Sequence, residues 1–228
     1  MFICSAKTVG SNPEIMSSPS TLAPKRLPDR TLSSDKRLIA GMRKVNNYTS
    51  KLDYRLMTVP SIQSLAKKVA LLKRRFPGQR LVCAKRDIDS AFPRLNLHPD
   101  AVVMMNTELK GEELGLEQDP IIFYPVLPFG WGGSPGVFSM ASDFIKDVVS
   151  GYRPSTPNWE SSLDFAIDVF VEDIMIIEPV IGRRPEMVAA SSEWAAQLTL
   201  GEDAVSETKN WRKAIGLKNT YFLVFPST

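Results

Sequence analysis

The sequence predicts a mixed α/β fold of the α+β kind, and three observations predict it. Leu81-Val82-Cys83-Ala84 is a short apolar run that reads as a strand leading into Lys85-Arg86-Asp87-Ile88-Asp89. Phe165-Ala166-Ile167-Asp168-Val169 and Ile174-Met175-Ile176-Ile177 read as the arms of a hairpin with Glu172-Asp173 at its tip. Segments opening near residues 61, 134 and 183 carry apolar residues at helical spacing. With 228 residues, 43% of them hydrophobic, the chain can bury a real core, as one domain or two small subdomains.

The carboxylates in these strands point to chemistry. A carboxylate within an apolar strand is costly unless it is paired or binds a cation. Asp87 and Asp89 are two residues apart and share one face if the strand stays regular. Two such strands side by side would gather carboxylates over one small volume, which suits hard divalent cations. Two magnesium ions held there could support an in-line phosphoryl transfer. The plainer alternative is that these carboxylates cap turns or face water at strand ends.

Composition narrows the function classes. The net charge of +3 gives a mild overall field, so the clustered basic residues matter more than their sum. Cys4 and Cys83 lie far apart without metal-ligand spacing, as expected in a reducing compartment. His98 is the single histidine, which excludes a His-rich zinc site; it reads as a turn residue before Pro99-Asp100. No apolar run approaches the roughly 20 residues of a membrane span. The start, Met1-Phe2-Ile3-Cys4, is too short an apolar stretch for a signal peptide. The expectation is an intracellular protein, cytoplasmic or nuclear, with no membrane partner.

Taken in order, residues 1–30 are rich in Ser, Pro, Thr and Asn and read as a loose tail. Residues 35–47 read as one strand, basic near both ends, that turns at Asn46-Asn47. Such a strand could offer Lys and Arg to phosphates, or simply a solvated face. Thr58-Val59-Pro60-Ser61 opens a helix with Ile62, Leu65, Ala66, Val69, Leu72 and Phe76 on one side, which Pro77-Gly78 stops. Val102-Val103-Met104-Met105 reads as a strand, and residues 121–127 as another, with Pro125 suggesting an edge. Pro128-Phe129-Gly130-Trp131-Gly132-Gly133-Ser134-Pro135-Gly136 is glycine-rich, which permits unusual backbone geometry and close approach of a ligand. Ser134-Pro135 opens a helix burying Val137, Ala141, Phe144, Ile145 and Val148. Residues 150–160 read as a surface loop. A helix from Gly182 carries Met187, Ser191, Trp194, Ala195 and Leu198 and ends at Gly201. Residues 221–225 read as a last apolar strand.

In this order, a strand with R-x-V-N, a helix, D-I-D-S-A-F, L-P-F-G-W-G-G-S-P-G-V-F and F-V-E-D resembles the reverse transcriptases of long-terminal-repeat and tyrosine-recombinase retrotransposons. The likeness covers roughly residues 30–210. It implies a right-hand polymerase architecture over residues 31–228: an antiparallel palm sheet backed by helices, a fingers subdomain, and a palm core at about 81–92 and 134–215. It implies an RNA-directed DNA polymerase that adds deoxynucleoside triphosphates to a primer 3′-hydroxyl on an RNA or DNA template. Asp87, the backbone of Ile88, Glu172 and Asp173 would hold two magnesium ions, or manganese, and the three carboxylates would be catalytic. Phe92 stands where an aromatic ring excludes a 2′-hydroxyl. Arg37 stands at the fingers arginine that meets base and phosphate. Phe129 and Gly130 stand in the loop lining the nucleotide pocket. Lys209 resembles the palm lysine from which the leaving pyrophosphate can be protonated.

The chain also departs from the family. Glu172 stands where the first residue of an aspartate pair belongs; its extra methylene moves the carboxylate by on the order of 1 Å, and such a shift can cost about a hundredfold in rate. Gly41 stands where many relatives have an aspartate. The resemblance implies a fragment that ends where a thumb begins, and without a thumb's phosphate contacts the grip on duplex is weak. The competing reading is an inactive retroelement remnant that at most binds nucleic acid or metal.

Overall fold

The computed structural model describes residues 2–5, 15, 17–26, 30–50, 52–57, 59–152 and 164–205. In chain order the strands are β1 (Phe2–Ser5), β2 (Ser18–Arg26), β3 (Leu32–Ile39), β4 (Leu81–Asp87), β5 (Asn106–Leu109), β6 (Pro120–Phe123), β7 (Ile167–Phe170) and β8 (Asp173–Pro179). The helices are α1 (Arg43–Tyr48), α2 (Ile62–Arg75), α3 (Pro99–Met104), α4 (Ser134–Gly151) and α5 (Arg184–Leu200). The fold is mixed α/β with mainly antiparallel sheets. The chain divides into two compact units, Met1–Leu56 with Phe92–Val137, and Met57–Ala91 with Phe138–Thr228. Thr58, the loop beyond Tyr152, Lys209 and the expected strand at 221–225 lie outside the described residues.

The first unit holds a five-stranded sheet in the order β1-β6-β5-β2-β3, in which only the β2/β5 pair is parallel. Two of its strands come from residues expected to form a loose tail. The serines of that stretch supply acceptors: Ser18 Oγ takes the Lys44 N–H and Ser20 Oγ the Gly41 N–H, each at 3.1 Å, so both side chains are satisfied although buried. The expected strand over 35–47 ends instead at Ile39, and Asn46-Asn47 lie within α1. Gly41 has a packing reason, because a Cβ there would overlap the carbonyl of Pro19. The expected strand at 102–105 is mostly helix α3, with Met105 its C-cap. His98 Nδ1 accepts the Asp100 N–H at 3.4 Å, Pro99 fits the first turn, and this start outweighs the β preference of Val102-Val103. The next strand stops at Phe123, ahead of Pro125.

The second unit holds the sheet β4-β8-β7, antiparallel throughout. Helix α2 is capped by Ser61, whose side chain accepts the Ser64 N–H at 3.1 Å. Leu72 packs with Leu81 and Ile177, joined by Leu65, Val69, Phe76 and Cys83, whereas Ile62 is 84% exposed. Within this unit α4 buries Phe138, Ala141, Ser142, Ile145 and Val149. Ala141 and Ile145 are buried as expected, whereas Val137 and Val148 are half-buried and Phe144 is exposed. Helix α5 buries the expected Ser191 and Ala195 together with Val188, Ser192 and Ala196, while Trp194 and Leu198 are exposed.

Two buried ionic groups fix this sheet. Asp168 on β7 receives Lys68 from α2 at 2.5 Å and Lys146 from α4 at 3.2 Å. At the far end, Glu178 on β8 is paired with Arg184, accepts the Ala166 N–H at 2.6 Å, and has its carboxyl pushed up by burial against the opposing pull of Arg184.

Candidate active site

The candidate site of the second unit starts from strand register. Asp87 ends β4, Asp173 begins β8, and the two are directly opposed. Opposed residues of an antiparallel pair project to the same face, so these carboxylates share one side of the sheet. Phe170 and Asp173 close the β7/β8 hairpin, which leaves Val171 and Glu172 as its two turn residues. Glu172 is therefore on the turn as expected, and Asp173 is already in the strand.

The turn is strained and braced. Val171 has φ +53°, a left-handed conformation that a β-branched residue resists. Ser142 on α4 is buried, and its hydroxyl donates to the Val171 carbonyl at 3.0 Å. The Ile88 N–H donates to the Glu172 carbonyl at 2.8 Å, and the Asp89 N–H donates to Ala204 at 2.9 Å. Ile88 is buried and forms a bridge with Val205. The chain leaves regular strand geometry here, with Ser90 at φ +51°, so Asp89 does not continue the Asp87 row and is exposed instead.

The electrostatics centre on Asp173. Lys85 Nζ lies 2.6 Å from Asp173 Oδ2. Asp173 Oδ1 is buried without a hydrogen-bond partner. Among the described residues no three His, Cys, Asp or Glu side chains converge as a metal-holding group. The donor chemistry of Asp87 and Asp173 still suits magnesium: two carboxylates share a face, and Asp173 offers a buried oxygen that a cation would satisfy. Cys83, on the same strand, has its thiol pushed up by burial, which disfavours a nucleophilic thiolate.

The remaining expected residues belong to the first unit, apart from Lys209. Phe92 is buried in a short 3₁₀ turn, its ring centroid 4.9 Å from that of Phe129, which is 58% exposed. Gly130 has φ +96°. Its carbonyl accepts from Asn46 Nδ2, and the Gly132 N–H donates to Asn46 Oδ1, both at 2.8 Å. A Cβ at Gly130 would lie 2.9 Å from the Ala40 carbonyl oxygen, and one at Gly136 would overlap the Arg55 carbonyl. The glycines thus admit the chain's own backbone, a use the sequence alone did not reveal. Ser134 donates to the Pro128 carbonyl at 2.7 Å. Arg37 lies on β3 opposite Ala23.

Three residues at or beside the hairpin have a part that the sequence did not assign them: Lys85, Ser142 and Val171. Lys85 had a readable signal, since its two-residue spacing from Asp87 puts both on one face. No protein-family model matches the chain, and no curated protein matches it either. No helix among the described residues is long and apolar enough to cross a membrane.

Proposed function

We propose that this chain is the fingers and palm of a reverse-transcriptase-like nucleotidyltransferase, which adds deoxynucleotides to a primer 3′-hydroxyl on an RNA or DNA template. The observation that carries the reading is the Asp87/Asp173 opposition beside the two-residue turn that bears Glu172. The motif order supports it: aspartate strand, glycine-rich segment, acidic hairpin. Asp87, Asp173 and Glu172, with the backbone of Ile88, would hold two magnesium ions. When bound, such ions lower the pKa of the primer hydroxyl and neutralise the triphosphate. By resemblance, Arg37, Phe129 and Gly130 serve the incoming nucleotide, Phe92 favours the deoxyribose, and Lys209 gives a proton to the departing pyrophosphate. These substrates place the protein inside the cell.

A second reading is favoured by one residue. Glu172 carries the longer side chain where the family has aspartate, which suits a catalytically inactive remnant that retains nucleic-acid or metal binding. Primer extension on an RNA template with magnesium or manganese, beside Asp87→Ala, decides between them. Extension that the control abolishes supports the polymerase. Well-folded protein without extension, in the wild type and in Glu172→Asp alike, rules that activity out for this chain.

A further inference from the structure

We infer that Lys85 is the built-in counter-cation of the candidate metal site, and that it sets the site's affinity for divalent ions by competing for Asp173. The inference rests on the metal-site reading above and extends it to a residue outside the expected ligand set.

Lys85 and Asp87 alternate on one face of β4, and Asp173 is opposed to Asp87 on β8. The Lys85 side chain crosses diagonally to put Nζ 2.6 Å from Asp173 Oδ2. The ammonium thereby claims one oxygen of the carboxylate whose other oxygen is buried and unpartnered. The two oxygens have different fates: Oδ2 is already neutralised by a flexible cation, and Oδ1 waits for a donor or an ion. A lysine serves as a removable cation because its compact charge sits on a long stem, and the Lys85 side chain is 56% exposed, so it can swing into water at little packing cost. A divalent ion drawing on both oxygens of Asp173 must displace the ammonium. Metal binding is then an exchange of one cation for another, weaker than carboxylates alone would provide.

Mn2+ binding to the full chain, read from the free-ion signal in electron paramagnetic resonance, tests this without any need for catalysis. Lys85→Met keeps the aliphatic stem, and its removal of an exposed pair and of a repelling charge predicts tightening on the order of tenfold. Lys85→Arg should bind within about twofold of wild type because the charge is retained. The gain from Lys85→Met should vanish in an Asp173→Asn background. A second readout is acylation of Lys85 by an amine-reactive ester, followed by peptide mass spectrometry: added magnesium should increase it. Mn2+ binding that Asp87→Asn abolishes but Lys85→Met leaves unchanged overturns the role of Lys85 and spares the metal site. No Mn2+ binding in any variant overturns both.

Discussion

Asp87 and Asp173 stand directly opposite one another, the last residue of β4 against the first of β8. The register leaves Glu172 on the turn, where side-chain length governs how far its carboxylate reaches. In primer extension, Glu172→Asp should raise the rate at least tenfold and up to about a hundredfold if placement alone limits the wild type. Asp87→Ala should abolish extension in both backgrounds. An unchanged rate for Glu172→Asp in an active enzyme would show that glutamate is already well placed.

The brace on Val171 can be tested locally. Ser142→Ala removes the donor to the Val171 carbonyl and should cost about 1 kcal/mol. Amide exchange at Ile88 should quicken, because its N–H is bonded to the next residue of the same turn. Unaltered exchange at Ile88 would mean that the turn holds its shape without Ser142.

Two glycines should respond oppositely to alanine. Gly136→Ala drives a methyl group into the Arg55 carbonyl and should destabilise the first unit by about 1–3 kcal/mol. Gly151, the last residue of α4, has no atom within 4 Å of a built Cβ, and Gly151→Ala should be neutral or stabilise by up to about 1 kcal/mol. Urea unfolding of the two variants measures the contrast.

A pH effect follows from Asp119, which receives Lys110 Nζ and the Gly111 N–H, each at 2.8 Å. The Lys110 hydrogen bond first, then that of Gly111, holds its carboxyl below the ordinary 3.8. A folded-state pKa below the unfolded one gives stability that is present above 3.8 and lost as the pH falls through the lower folded value. The difference in melting temperature between wild type and Asp119→Asn should therefore be present at neutral pH and close on strong acidification. A gap that stays constant across that range would remove Asp119 as its source.

The sheet around the candidate site was legible because its strands are apolar, β-branched and closed by a tight turn. The face of α2 was legible, and those of α4 and α5 only in part, because the buried Ser142 and Ser192 look polar in a sequence while Phe144, Trp194 and Leu198 are exposed. Ser142 donates to the Val171 carbonyl of the hairpin turn and Ser192 to the Ala189 carbonyl of its own helix at 2.8 Å, so each is satisfied and can face the core. Residues 18–26 were read as tail for a related reason: their serines find donors in residues 41–44, a pairing that local composition does not encode. The conformation of Val171 was also hidden, since propensity argues against a left-handed valine and only the surrounding contacts hold it there.

The Asp168 triad bears on the order in which the chain acquires structure. Lys68 and its acceptor are 100 residues apart, so helix α2 leaves the ribosome long before the carboxylate that secures it. Helix α4 waits for the same atom group, since Lys146 shares it. Locking of both helices is thus deferred until the hairpin is in place, a contact of high sequence separation that forms late. In a chevron series, Asp168→Asn should act mainly on the unfolding limb, and a loss carried by the folding limb would place the triad in the nucleus instead.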